Sequence, residues 1–162
     1  MLKVLALRDK RALQTLLEKC DDYLSLQNGG PIGPNAAEEL LMVRPEDASE
    51  RQKLVLGIYQ GDTGLLVGVC DLLKGYIGPD VLSLGLLLLE PAARRRGLGQ
   101  LAYQDVEEWA RKEGFTKIRI GVLMSNELGL KFWHKVGFKE TGEIKAYRRH
   151  WLRIFEKGIK AL

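Results

Sequence analysis

Only two cysteines, Cys20 and Cys70, occur among the 162 residues, and both stand in apolar surroundings. That excludes a disulfide framework and fits reduced, buried thiols in a cytoplasmic protein. Histidine is as scarce. His134 and His150 are isolated, without a partner at metal-ligand spacing, so no metal is expected and both are assigned to surface or structure. No stretch approaches the roughly 18 uncharged apolar residues of a membrane helix. The opening MLKVLALRDKRALQTLLEK meets charge too early and too often for a secretory signal. Long repeats, low-complexity tracts and extended linkers are missing too. The one loop-like stretch is QNGGPIGPN (27–35), whose Gly and Pro spacing forbids regular structure.

What is present is the balance of a globular chain: 46% hydrophobic and 28% charged residues, enough for one domain over 1–162 with its own core. The net charge of +4 suits an anionic small ligand as well as nucleic acid, so charge alone selects neither.

Periodicity supplies the elements. KVLAL (3–7) reads as a short strand, and Ala12, Leu13, Leu16, Leu17 and Cys20 recur at helix spacing from Asp9 to about Tyr23. A second helix runs from Asn35 through AAEELLMV. KLVLGIY (53–59) and LLVGVCDLL (65–73) are β-rich runs joined by QGDTG, a hairpin signal. VLSLGLLLLE (81–90) is apolar on both faces and therefore central. A helix with Leu98, Ala102, Val106, Trp109 and Ala110 on one stripe stops at Gly114. KIRIGVL (117–123) is a strand. Asn126 caps a helix carrying Leu128, Phe132 and Val136, and two closing strands follow. This order predicts an α+β (mixed α/β) sheet rather than a fully alternating doubly wound one.

The stretch LLLLEPAARRRGLGQ (86–100) sets three arginines and two glycines between a strand and a helix start. A helix start exposes about four unpaired N–H groups and carries roughly half a positive charge. Glycines there let a ligand approach the backbone, and arginines add charge-assisted bonds. Chemically the stretch is a pyrophosphate cradle, with a solvated basic loop as the plainer alternative. A P-loop would need Lys-Ser or Lys-Thr after the second glycine, and Gln100 follows Gly99. Gly97, Gly99 and Ala102 spell a dinucleotide fingerprint, yet residues 90–96 separate it from the strand. The acidic residue expected about twenty positions on is missing as well.

Arg94-x-x-Gly97-x-Gly99, with Pro91 three residues ahead, resembles the R/Q-x-x-G-x-G/A signature of GNAT-superfamily N-acetyltransferases. NELGLKFWHKVGF (126–138) resembles that family's N-x-x-A-x-x-[FL]-[YW]-x-x-x-G-F motif, with Gly129 in the small position. The two motifs lie about thirty residues apart, and the element order fits over essentially the whole chain. The resemblance implies a central twisted, mostly antiparallel sheet, splayed at the cofactor site and flanked by about four helices. It implies acetyl-CoA as co-substrate. The main chain of Leu87, Leu88 and Leu89 would hold its pantetheine arm, and the Leu89 N–H would polarise the thioester. Arg94, Arg95, Arg96, Gly97, Leu98, Gly99 and Gln100 would receive the pyrophosphate. Asn126, Phe132, Trp133 and Lys135 would complete the cofactor site, with Lys131 as a further candidate for the nucleotide's phosphates.

Acetyl transfer to a primary amine also needs a base, because a lysine-like amine with pKa about 10.4 is protonated at neutral pH. Ser83 and Gly85 stand where some relatives carry His or Glu. The candidates here are Asp71, the lone acid inside LLVGVCDLL, and Glu90 at the strand end. Many relatives place a tyrosine near the departing sulfur; Trp133 takes that position here, and indole is no practical proton donor. Tyr23, Tyr103 and Tyr147 are distant substitutes. Cys70 as an acetyl carrier would lack an activating base, so direct attack in a ternary complex is expected. Tyr23 and Asp71 are expected to meet the acceptor, a small-molecule or peptide amine. A non-catalytic acetyl-CoA-binding or sensing module is the competing reading. Neither nucleic acid nor membrane is an expected partner, and a homodimer is left open.

Overall fold

The computed structural model describes residues 1–160. Its strands are β1 (Leu2–Val4), β2 (Lys53–Tyr59), β3 (Leu66–Lys74), β4 (Val81–Leu89), β5 (Lys117–Leu123), β6 (Lys139–Tyr147) and β7 (His150–Gly158). Its α-helices are α1 (Lys10–Lys19), α2 (Asp21–Asn28), α3 (Ala36–Met42), α4 (Leu98–Lys112) and α5 (Glu127–Lys135). The strands form one seven-stranded sheet in the order β1-β2-β3-β4-β5-β7-β6. Every neighbouring pair is antiparallel except β4 with β5, which are joined through the crossover helix α4. The expected mixed, mostly antiparallel sheet is what forms.

Side-chain alternation along the central strands divides the core between the two sheet faces. Leu56, Cys70, Leu72, Leu84 and Ile120 pack with Ala102, Val106 and Trp133 of α4 and α5. Val55, Val69 and Leu88 pack with Leu13, Leu16, Leu24 and Leu41 of α1 to α3. Both faces of β3 and β4 are covered, which is why these strands read as nearly continuous apolar runs.

The helix expected from Asp9 to Tyr23 is two helices, so five α-helices form where four were expected. The break falls at Cys20, whose φ of −99° and ψ of 19° leave the helical region. Its buried Sγ donates to the Leu89 carbonyl at 3.5 Å, and Asp21 and Asp22 begin a new first turn, where acids are favourable. The turn in the chain brings α2 against the end of β4.

Candidate active site

β4 and β5 pair only from Val81 opposite Lys117 to Leu84 opposite Ile120. Beyond that they part. The cause lies in β4: Asp71 opposes Leu86 while Leu72 opposes Leu84, so Gly85 bulges out of the ladder. A bulge bends its strand and ends regular pairing. Gly85 and Gly121 are exposed where the strands separate. A cavity of about 600 Å³ occupies the gap, bounded by Tyr23, Leu89, Gly99, Asn126 and Trp133.

In an antiparallel ladder successive residues turn their N–H and C=O to opposite sides. Glu90 donates to the Val67 carbonyl of β3 at 2.9 Å. Leu89, and Leu87 two residues before it, therefore direct their main-chain groups away from β3 and into the gap. The Leu89 carbonyl accepts from Arg94 Nε at 2.8 Å, leaving its N–H for a ligand. Leu88 departs from the expectation: its carbonyl lies against Gly68 of β3 and its side chain is buried among α1 to α3. By alternation, two of the three expected backbone groups, not all three, can meet an inserted ligand.

The turn after β4 presents amides. Arg95 and Gly97 both take left-handed backbone, with φ of 62° and 78°. Leu101 donates to the Gly97 carbonyl, but among the described residues the amides from Arg95 to Gln100 have no protein acceptor. Six donors, some at the start of a fifteen-residue helix, are thus left to solvent or a ligand. Arg95 and Arg96 are exposed beside them. Arg94 is committed elsewhere: its guanidinium forms two bonds to Asp22 of α2, at 2.8 and 3.3 Å, besides the one to Leu89. A Cβ at Gly99 would sit 3.6 Å from both Leu89 and Phe132, so alanine fits there and anything larger fills the gap.

On the far side, the Asn126 side chain accepts from the Gly129 amide at 2.9 Å, capping α5. Any side chain at position 129 would run into the Asn126 amide. Tyr23 reaches across from α2, and its hydroxyl lies beside that same amide. Trp133 is packed edge-on to Tyr103, Phe132 and Phe138. Tyr103 itself is buried and donates to Glu107 at 3.2 Å, away from the gap. Lys135 is exposed on the last turn of α5, outside the cavity wall.

The two acids have different settings. Asp71 Oδ1 pairs with Lys53 Nζ at 2.7 Å. Its Oδ2 lies near Gly85 at the mouth of the split, 3.8 Å from where a Cβ there would stand. Burial pushes the Asp71 carboxyl up, and Lys53 opposes the shift. Glu90 is tied to Lys19 of α1 at 3.2 Å. Lys53 and Gly121 were not foreseen as site residues. Gly85 interrupts an apolar run, and that is the one local signal of a bulge that the sequence offered.

The chain can be laid almost whole on solved acetyltransferases. One from Thermus thermophilus matches with a TM-score of 0.75 at 17% identity, covering 98% of this chain and 97% of that one. The ribosomal-protein-S18-alanine N-acetyltransferase of Escherichia coli matches at 0.70 and 16%, covering 99% and 94%. An uncharacterized N-acetyltransferase of Methanocaldococcus jannaschii is 24% identical over 117 residues, 72% of this chain. The chain spans about half of that relative's length, 48%. The Acetyltransferase (GNAT) family matches residues 17–138, and the chain belongs to that family.

Proposed function

We propose that the chain transfers the acetyl group of acetyl-CoA to a primary amine by direct attack in a ternary complex. One observation carries this reading: the unpaired main chain of Leu87 and Leu89 leads out of the gap straight into a turn of six free amides. An extended amide-bearing arm adds to an open strand edge as a further strand would, and pyrophosphate suits the turn and the start of α4. When bound, acetyl-CoA supplies the acetyl group as a thioester. The Leu89 N–H, turned away from β3, would polarise the thioester carbonyl, where one oriented donor contributes roughly 3 kcal/mol. Asp71 Oδ2, beside the split, takes the proton of the incoming ammonium. Its raised pKa brings it nearer to that of the amine, which strengthens it as a base.

Direct attack is supported by the state of the thiols. Burial pushes Cys70 up to about 12 and Cys20 to about 11, so neither is a thiolate at neutral pH. Two reduced, buried thiols also suit a cytoplasmic setting, and no helix among the described residues is long and apolar enough to cross a membrane. A single domain over the whole chain and a small-molecule or peptide acceptor belong to the same reading.

The test is thermal unfolding with and without acetyl-CoA, followed by coenzyme A release over a panel of amines. A ligand at a hundred times its Kd stabilises by about 2.7 kcal/mol, so a clear rise in Tm is expected. Gly99→Glu, which fills the gap with a like-charged group, removes the rise while the free protein melts as before. No rise at millimolar acetyl-CoA overturns the reading. Tight binding without release on any amine leaves a sensing module instead.

A further inference from the structure

Acetyl transfer by direct attack leaves the departing sulfur in need of a proton. Trp133 is close-packed in aromatic rings and has none to give. Among the side chains bounding the gap, four ionise: Asp22, Tyr23, Arg94 and Arg95. Asp22 and Arg94 are paired at 2.8 Å, and that bond holds Asp22 below the usual carboxylate range, so it carries no proton. Guanidinium groups keep theirs. Tyr23 is the remaining O–H.

We propose that the Tyr23 hydroxyl, set across the split from α2 beside the Asn126 amide, is the catalytic proton donor to the leaving thiolate. Tyr23 packs against the apolar cluster on the α1–α3 side of the sheet, while Asn126 caps α5 on the opposite side. Both side chains line the cavity that Leu87 and Leu89 of β4 also line. Burial pushes the phenol up, with the nearby Tyr147 adding to the shift, so the proton is in place before reaction. The Asn126 amide favours the phenolate, which eases release of the proton once sulfur becomes anionic.

The step balances. The amine nitrogen bonds to the thioester carbon, the C–S bond breaks with its electron pair on sulfur, and sulfur takes the Tyr23 proton to leave as a thiol. The attacking nitrogen has already given one proton to Asp71; once acylated it sheds its second to solvent, and solvent restores the phenol. No oxidant or further reactant is required.

This inference rests on acetyl-CoA use, and calorimetric titration of Tyr23→Phe with coenzyme A and with desulfo-coenzyme A separates the two. The phenyl ring keeps its packing on the apolar cluster, so the variant folds. Loss of one hydrogen bond to sulfur should weaken coenzyme A about three- to tenfold at pH 9, where a thiol of pKa about 8.5 is ionised. Affinity for desulfo-coenzyme A stays at the wild-type value. Turnover should fall about a hundredfold or more, with the KM for the amine unchanged. Tyr147→Phe, which removes the hydroxyl that accepts from Gln27 at 3.4 Å, should keep the wild-type preference for the sulfur-bearing ligand. Equal loss for both ligands, unchanged turnover, an effect confined to the amine KM, or the same loss in Tyr147→Phe each overturn the assignment. If wild-type protein binds neither ligand, acetyl-CoA use itself fails and the donor role falls with it.

Discussion

Asp71 shows how one side chain takes its chemistry from the register of its neighbours. Its strand position sets it opposite Val55 and Leu86, with Lys53 diagonally across and the Gly85 bulge alongside. Desolvation favours its protonated form and the Lys53 ammonium favours the anion. A base works deprotonated, so kcat/KM should rise with pH through a carboxylate pKa above the ordinary range. Asp71→Asn should lower kcat/KM about a hundredfold or more and abolish that limb. Lys53→Met, by removing the cation, should move the limb to higher pH; a limb that stays put or moves down would place the base elsewhere. A pH profile on any accepted amine reads all three. The lone acid in LLVGVCDLL was visible in the sequence. Its Lys53 partner was not, because the pairing exists only once β2 and β3 are in register.

Among the elements, α2 depends on a contact that its own sequence does not announce. Its hydrogen bonds to Arg94 run from one side of the site to the other, across 72 positions of sequence. The Arg94 guanidinium braces Asp22 and the Leu89 carbonyl, fixing both the acceptor-side helix and the strand end. Asp22 has a folded pKa below its unfolded one. Its contribution is therefore present above the ordinary carboxylate range and is lost as pH falls through the depressed value. Asp22→Asn should raise amide exchange in α2 at neutral pH, by about 0.2–1 kcal/mol for a half-exposed pair. The difference from wild type should vanish on acidification. Equal exchange at neutral pH would show that α2 is held by Leu24 and its packing alone. Strands and helices themselves were largely legible, since apolar spacing and Gly or Asn stops are local. The break at Cys20 was not, because it answers to the Leu89 carbonyl and to Arg94, both distant in sequence.

Across the whole molecule, one buried charge ties the closing strand to the site's supporting layer. Glu107 of α4, 7% exposed, meets Lys157 Nζ of β7 at 2.6 Å and Arg111 at 3.2 Å. Lys157 also donates to the Val136 carbonyl at the end of α5, at 2.8 Å. An acid so enclosed is tolerated only when paired and hydrogen-bonded. Lys157→Met should therefore lower stability by about 1–3 kcal/mol in urea unfolding, with Arg111 retaining part of the compensation. A change within experimental error would mean that Arg111 compensates fully.

By itself the sequence determined the order of elements, the apolar stripes and the arginine–glycine turn, because each depends on residues within a few positions of one another. Through the same local spacing it carried the two motifs that resemble the acetyltransferase family. Only the tertiary structure decided where β4 parts from β5, which of Leu87, Leu88 and Leu89 turns its backbone into the gap, and that Arg94 braces α2. It alone set Tyr23 beside Asn126. Those outcomes depend on strand register and on packing between distant segments, and no local pattern encodes either.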